Sequence, residues 1–457
     1  MHIESLYDIY RQSAGVNTDS RTVQPGQLFF ALKGENFDGN AYALKALEAG
    51  AVAAVVTDGP HWPADERLVR VPDTLQALKD LAAWHRCHVL GEKHLPVIGL
   101  TGTNGKTTTK ELIREVLAAK YRVTATEGNF NNDVGVPLSL LRITPDTEIA
   151  VIEMGANHPD DIAKLVCVSQ PDYGLITNVG KAHLLGFGSL EGVMAAKGQL
   201  YDWIAAHDGV VFVNADDERL VGMARERSLS LLPYGVAYDG AEVLPPTGEC
   251  PFLRIRLSDG TTVETRLVGT YNASNVMAAL AVGAQFEVPL EDAVRSIAAY
   301  TPSNNRSQLV HSPRGNHVIV DAYNANPSSM AAALDNFDAL AADRKAVLLG
   351  SMGELGADSA AEHRKLVERL LATDYQVFLV GEAFASAISS ASSAISSASS
   401  VISSASSVIS SEVEKSVQSF PDSAALAAFL HTHPLSGAAI LLKGSRSQKM
   451  ETVLPEL

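Results

Sequence analysis

Cysteine and positive charge are both scarce in this chain, and each scarcity removes a class of protein. There are 3 cysteines in 457 residues: Cys87, Cys167 and Cys250, odd in number and in no C-x-x-C pair. That excludes a disulfide scaffold and fits a reducing compartment. His85, His88 and His94 surround Cys87, but their spacing fits no tetrahedral zinc pattern, and residues 78–88 read as a helix. Lys and Arg number 36 against 52 Asp and Glu, a net charge of −16. Such a field disfavours nucleic acid and anionic membrane, so a phosphate ligand has to be held by local donors. No apolar run reaches membrane-spanning length. Residues 1–6 carry neither the basic nor the apolar region of a secretory leader. The expectation is a cytoplasmic protein with no membrane insertion and no nucleic-acid partner. Hydrophobic residues make up 46% and charged residues 19%, the mix of a globular protein whose length suits about three domains of roughly 150 residues.

The most informative stretch is Gly102-Thr103-Asn104-Gly105-Lys106-Thr107-Thr108. An apolar strand-like run at residues 95–100 precedes it. A helix-like segment follows, with Leu112, Ile113, Val116 and Leu117 on one face. Strand, Gly-rich turn and helix N-terminus together make an anion site, because backbone N–H groups and the helix dipole converge there. Lys106 can reach the outer phosphates of a nucleotide, and the Thr107 hydroxyl can ligate Mg²⁺. Position 100 is Leu where the longer phosphate loop has Gly, so this is the short G-x-x-G-K-T form.

Strand-like and helix-like segments alternate along the whole chain, which predicts an α/β protein of three domains. Residues 1–80 read as a small α/β unit. Residues 81–310 read as a P-loop ATPase domain with a parallel sheet, closing with an antiparallel hairpin between residues 252 and 268 that turns at Ser258-Asp259-Gly260. Residues 311–457 read as a Rossmann-like α/β domain, its strands at residues 317–321, 345–350, 376–381 and 439–444. Residues 384–411 break the rhythm. There Ile388, Ile395, Ile402 and Ile409 recur every seven residues among Ser and Ala, and the expectation is a low-complexity surface excursion, with residues 386–410 dispensable for catalysis.

Ligands of open parallel sheets sit at the carboxyl ends of the strands, and three more candidates fall there. Glu153 closes an apolar strand, either as a second Mg²⁺ ligand or as a solvated strand-end carboxylate. His183 follows the next strand on the same rim, as a metal ligand or in proton transfer. Lys197 sits on a helix nearby. An ammonium repels a metal, so Lys197 either contacts phosphate or is carbamylated into an anionic oxygen ligand.

These residues resemble the ATP-dependent Mur ligases of peptidoglycan synthesis over nearly the whole chain outside the repeat. The resemblance implies an ATP loop at residues 102–108, metal ligation by Thr107, Glu153, His183 and Lys197, and catalytic roles for Lys106, Lys197 and His183. Asn272 and Asn275 match the family's N-x-x-N, whose first Asn approaches adenine; Arg306 and Asp321 match the Arg and Asp that close over ATP. Tyr271, Gln199 and Asn304-Asn305 depart from the family's usual His, Glu and Gly. Segments containing Asn131 and Asn132, Tyr323, Asn324 and Asn326, then residues 350–356 and 443–447, resemble the members that add D-alanyl-D-alanine to a UDP-N-acetylmuramoyl-tripeptide. Ser20 and Arg21 resemble the part that holds the UDP-sugar. The implied cofactors are ATP and Mg²⁺, the implied state is a monomer, and diaminopimelate or lysine stays open as the third peptide residue. Acyl-phosphate chemistry fits: three anionic groups must converge, so catalysis is positioning and charge neutralisation, with domain closure around the nucleotide. Three other readings compete: a related amide ligase such as a folylpolyglutamate synthase, a non-catalytic binder of cell-wall precursors, and a P-loop switch.

Overall fold

The computed structural model describes residues 2–34, 36–59, 62–246, 251–302, 305–389 and 417–457. Three open sheets follow one another along the chain. The first is parallel, in the order β1 (Val16–Asn17), β2 (Leu28–Phe30), β3 (Ala53–Thr57), β4 (Leu68–Val71). Strands buried on both faces need apolar side chains at every position, and β2 shows why its Leu-Phe-Phe run has no polar member. Leu28 and Phe30 pack into one core while Phe29 joins Ala43, Ala46 and Leu47 on the other side.

Helix Thr74–His88 joins the first sheet to the second. Asp73 caps it, accepting from the backbone N–H groups of Leu75 at 2.8 Å and Gln76 at 3.0 Å. The helix therefore begins four residues before the apolar periodicity suggests. Its Leu78, Leu81 and Ala82 sit in a continuous core that runs from Leu28 and Val55 to Val97 and Leu140. A domain limit at 80/81 would cut through this helix. Asp73→Ala is expected to destabilise the helix by about 1 kcal/mol, read as faster amide hydrogen exchange at residues 75–78.

The central sheet comprises β5 (Val97–Thr101), β6 (Val123–Ala125), β7 (Ile149–Glu153), β8 (Tyr173–Ile176), β9 (Val210–Asn214) and β10 (Ser230–Tyr234). All neighbours are parallel in the order β10-β9-β8-β5-β7-β6. The winding direction reverses at β5, so its carboxyl end faces the crevice where open α/β sheets bind ligands. Beside it an antiparallel sheet forms from β11 (Glu242–Leu244), β12 (Phe252–Arg256) and β13 (Thr262–Val268).

The last sheet holds β14 (Gln308–His311), β15 (His317–Asp321), β16 (Lys345–Gly350), β17 (Gln376–Val380), β18 (Val417–Phe420) and β19 (Ala439–Lys443), in the order β14-β15-β19-β16-β17-β18. Only β14 runs antiparallel among these pairings. A limit at 310/311 falls inside β14, because that edge strand begins before the apolar run of β15. Residues 382–389 are helical, with Phe384 and Ala387 in the core of this sheet. The repeat thus starts as a core helix, and removing residues from 386 would take away a buried side chain; the rest of residues 384–411 lies outside the described residues. Among the described residues no helix is long and apolar enough to cross a membrane.

Candidate active site

The loop after β5 is shaped by two glycines in the region of positive φ, Gly102 at 152° and Gly105 at 79°. A Cβ on Gly102 would lie 1.9 Å from Thr177 Oγ1, and one on Gly105 would lie 2.7 Å from Asn275 Oδ1. Thr177 closes in because it holds the loop, and Asn275 because it holds Thr109 in the helix that follows. Thr177 Oγ1 donates to the Asn104 carbonyl at 2.6 Å, and Asn178 accepts from the N–H of Asn104 at 3.0 Å. Helix Lys106–Ala118 then starts at Lys106, presenting its unpaired N–H groups and its dipole to the crevice. Lys106 Nζ donates to the carbonyls of Gly102 at 2.7 Å and Thr103 at 3.2 Å. Burial and the Arg306 guanidinium lower its pKa, while the Glu153 carboxylate raises it; burial is the largest effect.

Glu153, at the end of β7, is 1% exposed. Its Oε1 accepts from Thr107 Oγ1 at 3.2 Å and Asn131 Nδ2 at 2.7 Å, while Oε2 is buried with no hydrogen-bond partner among the described residues. A buried carboxylate oxygen without a donor is costly unless a cation meets it. His183 lines the same cavity. Its imidazole touches the Glu354 carboxylate; burial lowers its pKa, Glu354 opposes that, and the charges of Lys106 and Lys197 add to the lowering. Lys197, on helix Leu190–Ala206, is 2% exposed. Burial first and Lys106 second hold its pKa well below the ordinary lysine value.

A relay of amides ties the loop to the far side of the cavity. Thr109 Oγ1 donates to Asn275 Oδ1 at 3.0 Å, Asn275 Nδ2 to Asn272 Oδ1 at 2.9 Å, and Asn272 Nδ2 to the Val268 carbonyl at 2.9 Å. Tyr271, where the family has His, donates or accepts at Ser307 Oγ, 2.9 Å away. The C-terminal sheet supplies the opposing wall. Arg306 stacks on Tyr323 at 3.6 Å, with its buried Nε unpartnered among the described residues. Asp321, in register with Lys443 across β15 and β19, accepts from Lys443 Nζ at 2.5 Å. Asn326 caps helix Pro327–Ala339 and donates to Asn104 Oδ1 at 2.8 Å, a direct link from the last sheet to the phosphate loop.

One cavity of about 350 Å³ therefore collects Lys106, Thr107, Glu153, His183, Asn272, Arg306 and Asp321, with Asn131, Tyr323, Asn324 and Asn326 at its wall. Lys197 lies off that wall. Asn132 does not reach it either, against expectation: its Oδ1 accepts from the N–H of Gly135 at 2.9 Å and so caps the start of helix Gly135–Leu140. Ser20 and Arg21 sit in the turn between β1 and β2, away from the cavity, where Arg21 pairs with Asp19 at 2.6 Å on the surface. Two functional candidates lie in segments 350–356 and 443–447, which the resemblance singles out without giving either residue a role. Lys443 could have been found from its Lys-Gly position at a strand end, parallel to Asp321. Glu354 carries no local signal, because only tertiary packing brings it to His183.

Three family models match the chain: the Mur ligase family catalytic domain over residues 12–86, the Mur ligase middle domain over 100–283, and the Mur ligase glutamate ligase domain over 305–446. A Bacillus subtilis protein named UDP-N-acetylmuramoyl-tripeptide–D-alanyl-D-alanine ligase is 34% identical over 450 residues, covering 97% of this chain and 93% of the relative. The chain belongs to the Mur ligase family. Among solved structures, MurF from Acinetobacter baumannii superposes with a TM-score of 0.81 at 29% identity, covering 100% of this chain and 98% of that one. The Thermotoga maritima MurF ligase in complex with ADP gives 0.79 at 26% identity, covering 98% of both. As a Mur ligase, the chain has a reason to place a phosphate loop against a second α/β sheet.

Proposed function

We propose that this Mur ligase joins the amine of D-alanyl-D-alanine to a carboxylate of UDP-N-acetylmuramoyl-tripeptide, consuming ATP. One observation carries the reading: a relative named for that reaction aligns over 97% of the chain at 34% identity. The competing folylpolyglutamate, binder and switch readings do not account for that alignment together with an intact set of Lys106, Thr107, Glu153 and His183. In the reaction, a carboxylate oxygen of the tripeptide attacks the γ-phosphorus of ATP and ADP leaves. The amine of the dipeptide then attacks the acyl carbon, the acyl–oxygen bond breaks, phosphate departs, and the amine proton passes to solvent.

The chain's part is to hold anions together. Lys106 and the N–H groups of residues 102–107 neutralise the phosphates, and Asn272 with Arg306 and Asp321 borders the nucleotide from the opposite wall. Thr107, Glu153, His183 and a carbamylated Lys197 would hold Mg²⁺, whose charge offsets that of the transferring phosphoryl group. The unpartnered Glu153 Oε2 beside the Thr107 hydroxyl fits such an ion. Asn131, Tyr323, Asn324 and Asn326 face the peptide partners, and Ser20 and Arg21 the UDP-sugar. ATP and a UDP-linked precursor place the work in the cytoplasm. The test is phosphate release from ATP with either the diaminopimelate or the lysine tripeptide. Release is expected with D-alanyl-D-alanine and one of the two tripeptides; release with glutamate on a folate acceptor, and none with the dipeptide, overturns the reading.

A further inference from the structure

Glu354 has no part in the scheme above, yet it meets the site twice. It lies in Gly353-Glu354-Leu355, beyond the carboxyl end of β16 in the last sheet. Its carboxylate touches His183 Nδ1, and its carbonyl accepts from the N–H of Leu185 at 3.3 Å. Both partners of the contact hold positive φ without being glycine, Glu354 at 61° and His183 at 51°, a conformation that few such residues adopt. The contact lacks the alignment of a formed hydrogen bond at the buried Nδ1. Two further groups reach His183 electrostatically, the ammonium groups of Lys106 and Lys197, so Glu354 is the anion facing this imidazole from the opposite sheet.

A histidine can offer a lone pair from one ring nitrogen only when the proton sits on the other, and a carboxylate accepting that N–H fixes both tautomer and ring orientation. We propose that Glu354 is a positioning residue that accepts Nδ1–H of His183 when the last sheet closes on the central one, leaving Nε2 as the lone pair for the cation accompanying ATP. This rests on the reading of His183 as a metal ligand. Because the carboxylate and the imidazole come from different sheets, the cation site is complete only in the closed molecule, and closure and cation binding reinforce each other.

A neighbouring clasp provides the control. Lys181 Nζ pairs with Glu362 at 3.1 Å across the same interface and does not involve the His183 ring. The full chain, loaded with a non-hydrolysable ATP analogue, is titrated with Mn²⁺ alone and followed by electron paramagnetic resonance. Glu354→Ala is expected to weaken Mn²⁺ binding by roughly 10–100-fold. Glu354→Gln, which keeps an acceptor oxygen, and Glu362→Ala, which only loosens closure, should each cost no more than about threefold on the scale of an exposed ion pair. Unchanged or tighter Mn²⁺ binding in Glu354→Ala, or an equal loss in Glu362→Ala, overturns the proposal. The unaltered chain gives an independent reading through its histidine ¹⁵N spectrum, with His183 assigned by its loss in His183→Asn. A protonated Nδ1 in the nucleotide complex is expected, and a bare Nδ1 overturns the proposal even if Glu354→Ala does not fold. Absence of dipeptide-dependent phosphate release with these Mn²⁺ results intact would sink the substrate reading alone.

Discussion

Lys106→Ala is expected to remove turnover by about a thousandfold or more, equivalent to about 4 kcal/mol of transition-state stabilisation. The size follows from where the ammonium sits. Its Nζ is held by the carbonyls of Gly102 and Thr103 at the mouth of the loop, close enough to Glu153 and Arg306 for their charges to act on it. In a half-buried cleft a missing cation is only partly replaced by water, because solvent reorganises less freely there than at an open surface. The negative charge that grows on the transferring phosphoryl group would then face Glu153 with less to offset it. Alanine is a good residue for the first turn of helix Lys106–Ala118, so the variant is expected to fold. Single-turnover ADP formation with the tripeptide checks this: the loss should appear in kcat even with saturating ATP, and near-normal turnover would refute the assignment of Lys106.

The sequence makes the site legible where local chemistry and sheet topology coincide. Lys106, Thr107, Glu153 and His183 follow the carboxyl ends of apolar strand runs, and parallel sheets gather such ends along one rim. Arg306, Tyr323 and Asp321 reach the same cavity from another sheet, and their place there rests on likeness to relatives rather than on any spacing within the chain. The misses have physical causes. The edge strands β6, β10, β14 and β18 are half exposed and need no continuous apolar run; β10 even carries Pro233, tolerable at an edge where no ladder N–H is required. Helix Thr74–His88 was legible too late because its first turn is signalled by the Asp73 cap rather than by apolar spacing. Asn131 and Asn132 share one sequence signal, but only Asn131 lines the cavity. The neighbouring asparagines point to different tasks: Asn131 holds Glu153, while Asn132 caps a helix.

Lys197→Ala is expected to lower kcat by on the order of a hundredfold, with partial recovery on adding acetate or another short carboxylate. The cause is an electrostatic conflict. Lys197 is buried, and Lys106 acts on it as a like charge; two ammonium groups there repel each other as well as any metal ion. Burial and repulsion both favour the neutral amine, and a neutral amine is nucleophilic towards CO₂. With CO₂, its nitrogen would form a bond to the carbon and lose a proton, leaving a carbamate anion. That single step reverses the sign at the end of the side chain. Repulsion with Lys106 would become attraction, and an anionic oxygen would become available to the Mg²⁺ proposed above. Removing the side chain leaves space that a small carboxylate can fill with the same charge, which is why rescue is the sharper readout. In the unaltered enzyme, stripping CO₂ from the buffer should lower turnover and bicarbonate should restore it. Turnover indifferent to CO₂, no rescue by acetate, and intact-mass spectra under trapping conditions showing no added CO₂ on Lys197 would together remove this residue from the metal site.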